Sequence, residues 1–411
     1  MVIGKYVGAQ AHCTAGCEYV SVRKDCIPMK ILQKSVAAVA AALIAGSALA
    51  GCTQATIFGS YPQDLSWSYK DDASTLSIGG YIYYNYSAFT AASQKVENGT
   101  GDFLDQKLKN DDGKEVTAKE YIDQVTEDAC KNYIYVNKVF KDKKLSLTAE
   151  EISSYKKNAD SYWTYYKTVF EKLGVSKDSF VSAGYENSAK LEAIFKSIYG
   201  EGGEKEVSTA DMQKYYEDNY VNYSYLSVPL YDTSTDSNNQ STNTKKSDAD
   251  IKKIKSNLEK YAADINNGTS YADEVKVYMK DYNIQSDPTI SATNILKNAG
   301  LGEDIEKAIE SLKDGQAKYI TVGEGGDSAT CYLIYRGNIK DESKKLASDE
   351  NTKYSVLVNM KSEEFQKDMK EQAKNVKCEV NTAAIEKYPC TNYITEPATE
   401  AATNTASADS K

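Results

Sequence analysis

The reactive side chains of this 411-residue sequence are few, and their positions limit the chemistry available to it. There is one histidine, His12, and there are two arginines, Arg23 and Arg336. The eight cysteines fall into two sets, Cys13, Cys17, Cys26 and Cys52 near the start, and Cys130, Cys331, Cys378 and Cys390 beyond it. From residue 52 onward the chain has no histidine and a single arginine. That excludes histidine acid–base work, a Ser-His-Asp or Cys-His nucleophile and a His-ligated metal there. No Walker loop, Rossmann glycine fingerprint or EF-hand loop is present, so neither a cofactor nor a metal is expected. A net charge of −10 with almost no arginine argues against nucleic acid.

Cys52 carries the clearest chemical signal. Met29-Lys30-Ile31-Leu32-Gln33-Lys34 opens a positive segment, Ser35 to Ala48 is an Ala/Val/Leu/Ile run, and Leu49-Ala50-Gly51-Cys52 closes it. This is the layout of a secretory leader, too short for a comfortable membrane span. Its last four residues resemble the bacterial lipobox, in which the cysteine is lipidated and becomes the mature N-terminus. Residues 1–28 precede a complete leader that has its own methionine, and read as a start placed too early. A Cys/His metal set in that stretch is the competing reading. Without residues 1–51 the chain loses five basic and two acidic residues and carries a net charge of −13. Such a chain does not adsorb flat on an anionic membrane, so attachment falls to lipid.

Export permits disulfides. Cys378 and Cys390 are spaced to close a short loop, with simple buried thiols as the alternative; Cys130 and Cys331 fall in different predicted domains. The 33 tyrosines favour large amphipathic contact surfaces. The Tyr81-Ile82-Tyr83-Tyr84-Asn85-Tyr86 run holds more rings than a core face takes, so some are expected to face solvent or a cleft.

The elements that must position these residues follow from periodicity. Residues 52–75 read as a tether ending in an extended stretch in which Trp67 and Tyr69 alternate. Helix is expected from Ser77 to Val96, a surface loop from Asn98 to Gly113, and a long helix from Thr117 to Lys141 with apolar residues at steps of three and four. Thr148 with Glu151 is a capping-box pattern opening a helix whose buried face would be Ile152, Tyr155, Tyr162, Tyr166 and Val169. Shorter helices follow at 176–200 and Ser208 to Tyr220, completing a helical domain over 76–218. The pattern then switches. Asn222 to Val228 is strand-like, Asp232 to Asp248 is a Ser/Thr/Asn/Asp loop expected to be mobile, and helices return at 251–265, 270–282 and 302–313. Strands at Ala317 to Val322 and Thr330 to Arg336 close a unit over 219–340. The expected class is mainly α with an α+β insert. A last amphipathic helix, Asp349 to Lys377, lies in 341–393, and the tail over 394–411 has the composition of a disordered segment.

The order of lipobox, helical domain, strand-helices-strand-strand insert and returning helix resembles the extracytoplasmic foldases of the PrsA type and, more distantly, the chaperone SurA. The likeness covers about residues 70–390. Ser208 to Asn222 looks like the family's helix leading into the first parvulin strand, and Asn267 to Glu274 like its G-x-x-F-A-E-L-A segment. Ile309 to Gln316 looks like the A-x-x-L-K-x-G-E helix end, and Cys331 to Tyr335 like the final strand. The resemblance implies a helical chaperone domain built from both chain ends, carrying a parvulin-like peptidyl-prolyl isomerase domain. It implies unfolded or partly folded exported proteins as partners, and the outer face of a cell membrane as location.

Departures from that family decide the activity. Tyr225 and Tyr332 stand where the family carries histidines, and Ser286 to Leu296 replaces its Gly-Gly-Asp-Leu-Gly stretch. Cys331 neighbours the second lost histidine, with no basic partner to activate it. Tyr225, Tyr332 and Cys331 are therefore the candidate peptide-groove residues, and no catalytic residue is assigned. Rotation about an X-Pro bond needs no proton transfer, only relief of a barrier of about 18–20 kcal/mol, so an active isomerase stays open beside a domain that binds without catalysing. A solute-binding lipoprotein would need repeated strand–helix alternation, which the long helical stretch before the first clear strand argues against. A structural envelope lipoprotein is the remaining alternative.

Overall fold

The computed structural model describes residues 66–96, 102–236, 240–326 and 328–394. The leader, Cys52, residues 1–28 and nearly all of the C-terminal tail lie outside the described residues. The fold is mainly helical, with small antiparallel sheets.

The described chain begins in a sheet. Strands β1 (Trp67–Lys70) and β2 (Thr75–Ser77) form a hairpin, and β1 is the centre of a three-stranded sheet whose other edge comes from the far end of the chain. The extended stretch expected at Trp67 and Tyr69 is strand β1, and it belongs to a sheet rather than to the tether: Tyr69 is buried, and the backbone on both sides of it is paired. Ser77 caps α1 (Ile78–Lys95) by accepting from the Gly80 amide. Tyr81, Ile82, Tyr83, Tyr84 and Asn85 are all buried and Tyr86 is half-buried, so this run faces the core; the exposed tyrosines among the described residues lie instead on a later helix, at Tyr162 and Tyr165. A helix apolar all round is one surrounded on every side. The phenols find partners there: Tyr84 Oη donates to the Ala183 carbonyl at 2.6 Å.

The expected loop before the next helix holds a second hairpin, β3 (Lys107–Lys109) with β4 (Glu115–Thr117). Its turn runs from Asn110 to Gly113, where φ of +76° suits glycine. Reciprocal Thr117–Glu120 and Thr148–Glu151 capping boxes open the two longest helices of this half, α2 (Ala118–Asp142) and α3 (Ala149–Leu173). Helix α3 buries Tyr155, Ala159, Trp163 and Phe170, while Tyr162 is 42% and Val169 40% exposed. The inward row is the one carrying the largest apolar rings, Trp163 and Phe170, stacked 6.2 Å apart. It lies rotated from the tyrosine row expected from sequence. A short α4 (Lys177–Phe180), a π-turn (Val181–Glu186), α5 (Asn187–Tyr199) and α6 (Thr209–Asn219) complete this half.

The insert follows. Strands β5 (Val221–Pro229), β8 (Ile290–Asn294), β9 (Ala317–Val322) and β10 (Thr330–Gly337) form an antiparallel sheet in the order β8-β5-β10-β9. Between β5 and β8 the chain forms β6 (Tyr231–Thr235), β7 (Ser241–Lys245), α7 (Asp248–Asn266) and α8 (Tyr271–Asp281). The β6–β7 hairpin replaces the expected loop. Its Ser/Thr/Asn residues bury nothing, but main-chain pairing from Tyr231↔Lys245 to Thr235↔Ser241 needs no core, and threonine fits a pleated backbone. Helix α9 (Glu303–Glu310) crosses one face of the sheet.

After α10 (Ile339–Ser343) comes α11 (Glu350–Lys374), which returns to α2, α5 and α6. Its Val356, Leu357, Phe365 and Met369 join Val136, Ile194, Phe195, Tyr199 and Met212 in one core. Strand β11 (Glu379–Val380) then pairs with β1, Tyr69 opposite Val380, and Asn381 donates to the Ser68 and Trp67 carbonyls. After α12 (Thr382–Ile385), residues 390–393 tuck beneath α1, with Tyr393 edge-on to Phe89 at 5.4 Å.

One buried charge gives the insert a pH signature. Glu274 on α8 is 4% exposed, and its Oε2 has no hydrogen-bond partner. Burial, then the neighbouring Asp264, Asp273 and Asp281 carboxylates, push its pKa above the ordinary value; Lys260 opposes them but is bonded to Asp264 at 2.6 Å. A raised folded pKa means that the stability of the protonated form is fully present below the unfolded value and is lost as pH rises through the folded one. Glu274→Gln is therefore expected to raise the Tm at pH 7 and to flatten the melting profile from about pH 4, the unfolded value, upward. An unchanged pH profile in that variant would contradict the assignment.

Candidate functional site

Strand alternation decides which side chains of the insert share a face. Ile334 stands opposite Tyr225 and Ser227 opposite Tyr332 in the β5–β10 ladder, so Tyr225, Tyr332 and Ile334 point the same way. Ile320 on β9 stands opposite Tyr332, and Ile290 on β8 opposite Tyr225. Helix α9 covers one end of this face, sealing Tyr223 and Ile334 against Ile305 and Ile309. The other end is left open: Tyr225, Tyr332 and Ile320 are half-buried, Ser227 is exposed, and Ile290 is 50% exposed. The Tyr225 and Tyr332 rings meet edge to face with centroids 5.9 Å apart.

Burial, followed by neighbouring Tyr223 and Tyr332, raises the Tyr225 phenol above its ordinary pKa. Burial, followed by Tyr231, does the same to Tyr332. Both hydroxyls are therefore protonated at neutral pH. They can donate or accept hydrogen bonds and offer ring surface, but cannot act as bases. Tyr231 also marks where the β6–β7 hairpin rises, at the Tyr332 end of the face. Among the described residues no set of three or more His, Cys, Asp or Glu is gathered to hold a metal. The open end of this face presents two phenol hydroxyls and the apolar side chains of Ile290 and Ile320.

Cys331 does not belong to it. One residue from Tyr332, it points through the sheet to the opposite face, fully buried with Leu226, Leu258 and Leu333 under α7. Its Sγ lies 3.5 Å from Thr321 Oγ1 and 3.7 Å from Tyr319 Oη. Period-two alternation already separates positions 331 and 332, and that signal was available in the sequence. Ile290 and Ile320 are the face residues that sequence reasoning missed; Ile320 lies on a predicted strand, whereas β8 has no strand-like run to announce it.

Cys378 and Cys390, which the sequence offered either as a short disulfide loop or as buried thiols, lie in different clusters. Cys378 packs at the edge of the Tyr69/Tyr81/Cys130 cluster and Cys390 is buried in a separate one with Leu104, Leu108 and Ile122; both, like Cys130 and Cys331, are free thiols in this structure. Strand β11 holds the first beside β1, while the chain after α12 carries the second away beneath α1.

No protein-family model and no curated protein matches the sequence. Among solved structures the chain is similar to the foldase protein PrsA of Streptococcus pneumoniae, at 18% identity over 70% of this chain and 100% of that one, with a TM-score of 0.33. It is also similar to the foldase protein PrsA of Lactococcus lactis, at 11% identity over 80% of this chain and 99% of that one, with a TM-score of 0.30. Values this low carry no argument about function, which rests on the residues described above.

Proposed function

We propose that this chain is a lipid-anchored, extracytoplasmic chaperone of the foldase type, whose α+β insert binds extended segments of exported proteins without catalysing proline isomerisation. The observation that supports this most is the open Tyr225–Tyr332 pair: two protonated phenols 5.9 Å apart on a half-covered apolar face. Rings of this kind supply contact area with a polar tip and tolerate varied partners. The proline isomerase remains the second reading, favoured by hydroxyls able to hydrogen-bond a twisted amide.

The anchor is proposed from Leu49-Ala50-Gly51-Cys52, which lies outside the described residues. Among the described residues no helix is long and apolar enough to cross a membrane. Cys52→Ala is expected to abolish incorporation of a labelled fatty acid and to release the protein from the membrane fraction. Undiminished acyl labelling in that variant would refute the anchor. Whether the face binds clients is tested by aggregation of an unfolded client in the presence of the wild-type and tyrosine-substituted chains.

A further inference from the structure

Cys130 and Cys378 belong to one packing cluster, although 248 positions separate them in sequence. Cys130 is fully buried on α2, and α2 lies against β1 and β2. Cys378 directly precedes β11, which the register Lys70↔Glu379 and Tyr69↔Val380 lays flush on β1. Tyr69 packs in the same cluster as both thiols, and ionisation of either would push its phenol pKa up. After burial, Cys378 is the strongest influence on Cys130, ahead of Glu127 one helical turn away. The other described cysteines are elsewhere: Cys331 is in the insert and Cys390 in a different cluster.

We infer that Cys130 and Cys378 are partners for a disulfide, formed when the chain folds in an oxidising compartment, that ties the returning C-terminal strand to the central helix of the helical domain. Its formation in the cell rests on the export proposed above; the chemistry itself does not. The oxidant is a low-molecular-weight disulfide. The half-buried Cys378 thiolate, which the Lys131 ammonium favours, attacks one of its sulfurs and expels a small thiol, leaving a mixed disulfide. The Cys130 thiolate then attacks the Cys378 sulfur and expels the second small thiol. Two protein thiols are oxidised, one small disulfide is reduced to two thiols, and the two protons end on those thiols. Burial raises both protein thiols above their ordinary pKa. Exchange is therefore slow in the closed fold and occurs during folding, as β1, β11 and α2 come together and before the cluster around Cys130 closes.

The test is oxidative refolding of the chain from residue 52 with Cys52→Ala, in a mixture of oxidised and reduced glutathione. Free thiols are then alkylated and the digest is mapped without reduction. The expected product is a Cys130–Cys378 linked peptide in most molecules, with Cys331 and Cys390 recovered alkylated. Closing so long a loop should raise the Tm of the oxidised form by about 5 °C or more over the reduced form. Cys390→Ala should keep the linked peptide, and Cys378→Ala should lose it. Recovery of Cys130 and Cys378 as free thiols, or of Cys378 joined to Cys390, would overturn the inference. Loss of export would leave this result unchanged, and failure of the linkage would leave the chaperone reading standing.

Discussion

A chain ending at residue 345 is expected to lose cooperative unfolding of its helical domain. Helix α11 contributes Val356, Leu357, Val358, Phe365 and Met369 to a core they share with α2, α5 and α6, and all five are at most 5% exposed. Burial of each such side chain contributes roughly 1.5–3 kcal/mol. The helix as a whole therefore contributes on the order of 10 kcal/mol, comparable to the net stability of a typical domain at about 5–15 kcal/mol. Truncation also removes β11 and strips one edge from β1. A single substitution reads the same core more gently. Phe365 stands edge-on to Phe195 at 5.2 Å and to Tyr199 at 6.3 Å, and Phe365→Ala should cost about 3–5 kcal/mol. Calorimetry of the truncated and Phe365→Ala chains checks both; an unchanged melting temperature on truncation would show that the first half folds without its returning helix.

The second large effect falls on client holding. Replacing Tyr225 and Tyr332 together by alanine removes the two rings that line the open end of the sheet face. Truncating an aromatic contact residue typically costs about 1–2 kcal/mol of binding, so the double variant should hold an unfolded client roughly 30–700-fold more weakly. Tyr225→Phe with Tyr332→Phe keeps the rings and removes only the hydroxyls; that variant should bind within a few-fold of wild type. The sheet itself should survive, because Tyr223 and Ile334, sealed under α9, carry the buried part of this face. Equal client affinity in the wild-type and double-alanine chains would move the binding site off the insert.

What the sequence made legible was local. The Thr148–Glu151 capping box, the period of the long helices and the switch to β-rich pattern after Tyr220 each depend on residues within a few positions of one another. The structure has the capping box in place and a strand at Val221–Pro229. Pairing between distant segments was not legible. Strand β11 is two residues long and announces nothing by itself; Tyr69 and the backbone of β1, three hundred positions earlier, give it a place. The same long-range pairing sets Cys378 in the cluster of Cys130 rather than in that of Cys390. The α1 tyrosines were misjudged because composition counts rings without showing how many neighbours a helix has. The β6–β7 hairpin was misjudged because a core is not the only way to order a polar segment. At the candidate site, the tyrosine pair was legible from the strand pattern and the family resemblance. The sidedness of Cys331 was legible too, from alternation alone. Ile290 became visible only once β8 was seen to pair with β5.

The central claim is that the Tyr225–Tyr332 face binds without catalysing, and cis–trans exchange of an Xaa-Pro peptide by the full chain tests it most directly. Uncatalysed exchange takes tens to hundreds of seconds at 25 °C, slow enough for even a modest catalyst to register. The predicted result is a rate within a few-fold of the uncatalysed one, at protein concentrations that still suppress aggregation of an unfolded client. A saturable acceleration of several hundred-fold, abolished by Tyr225→Phe and Tyr332→Phe, would contradict the claim and make the phenol hydroxyls the catalytic groups of an isomerase.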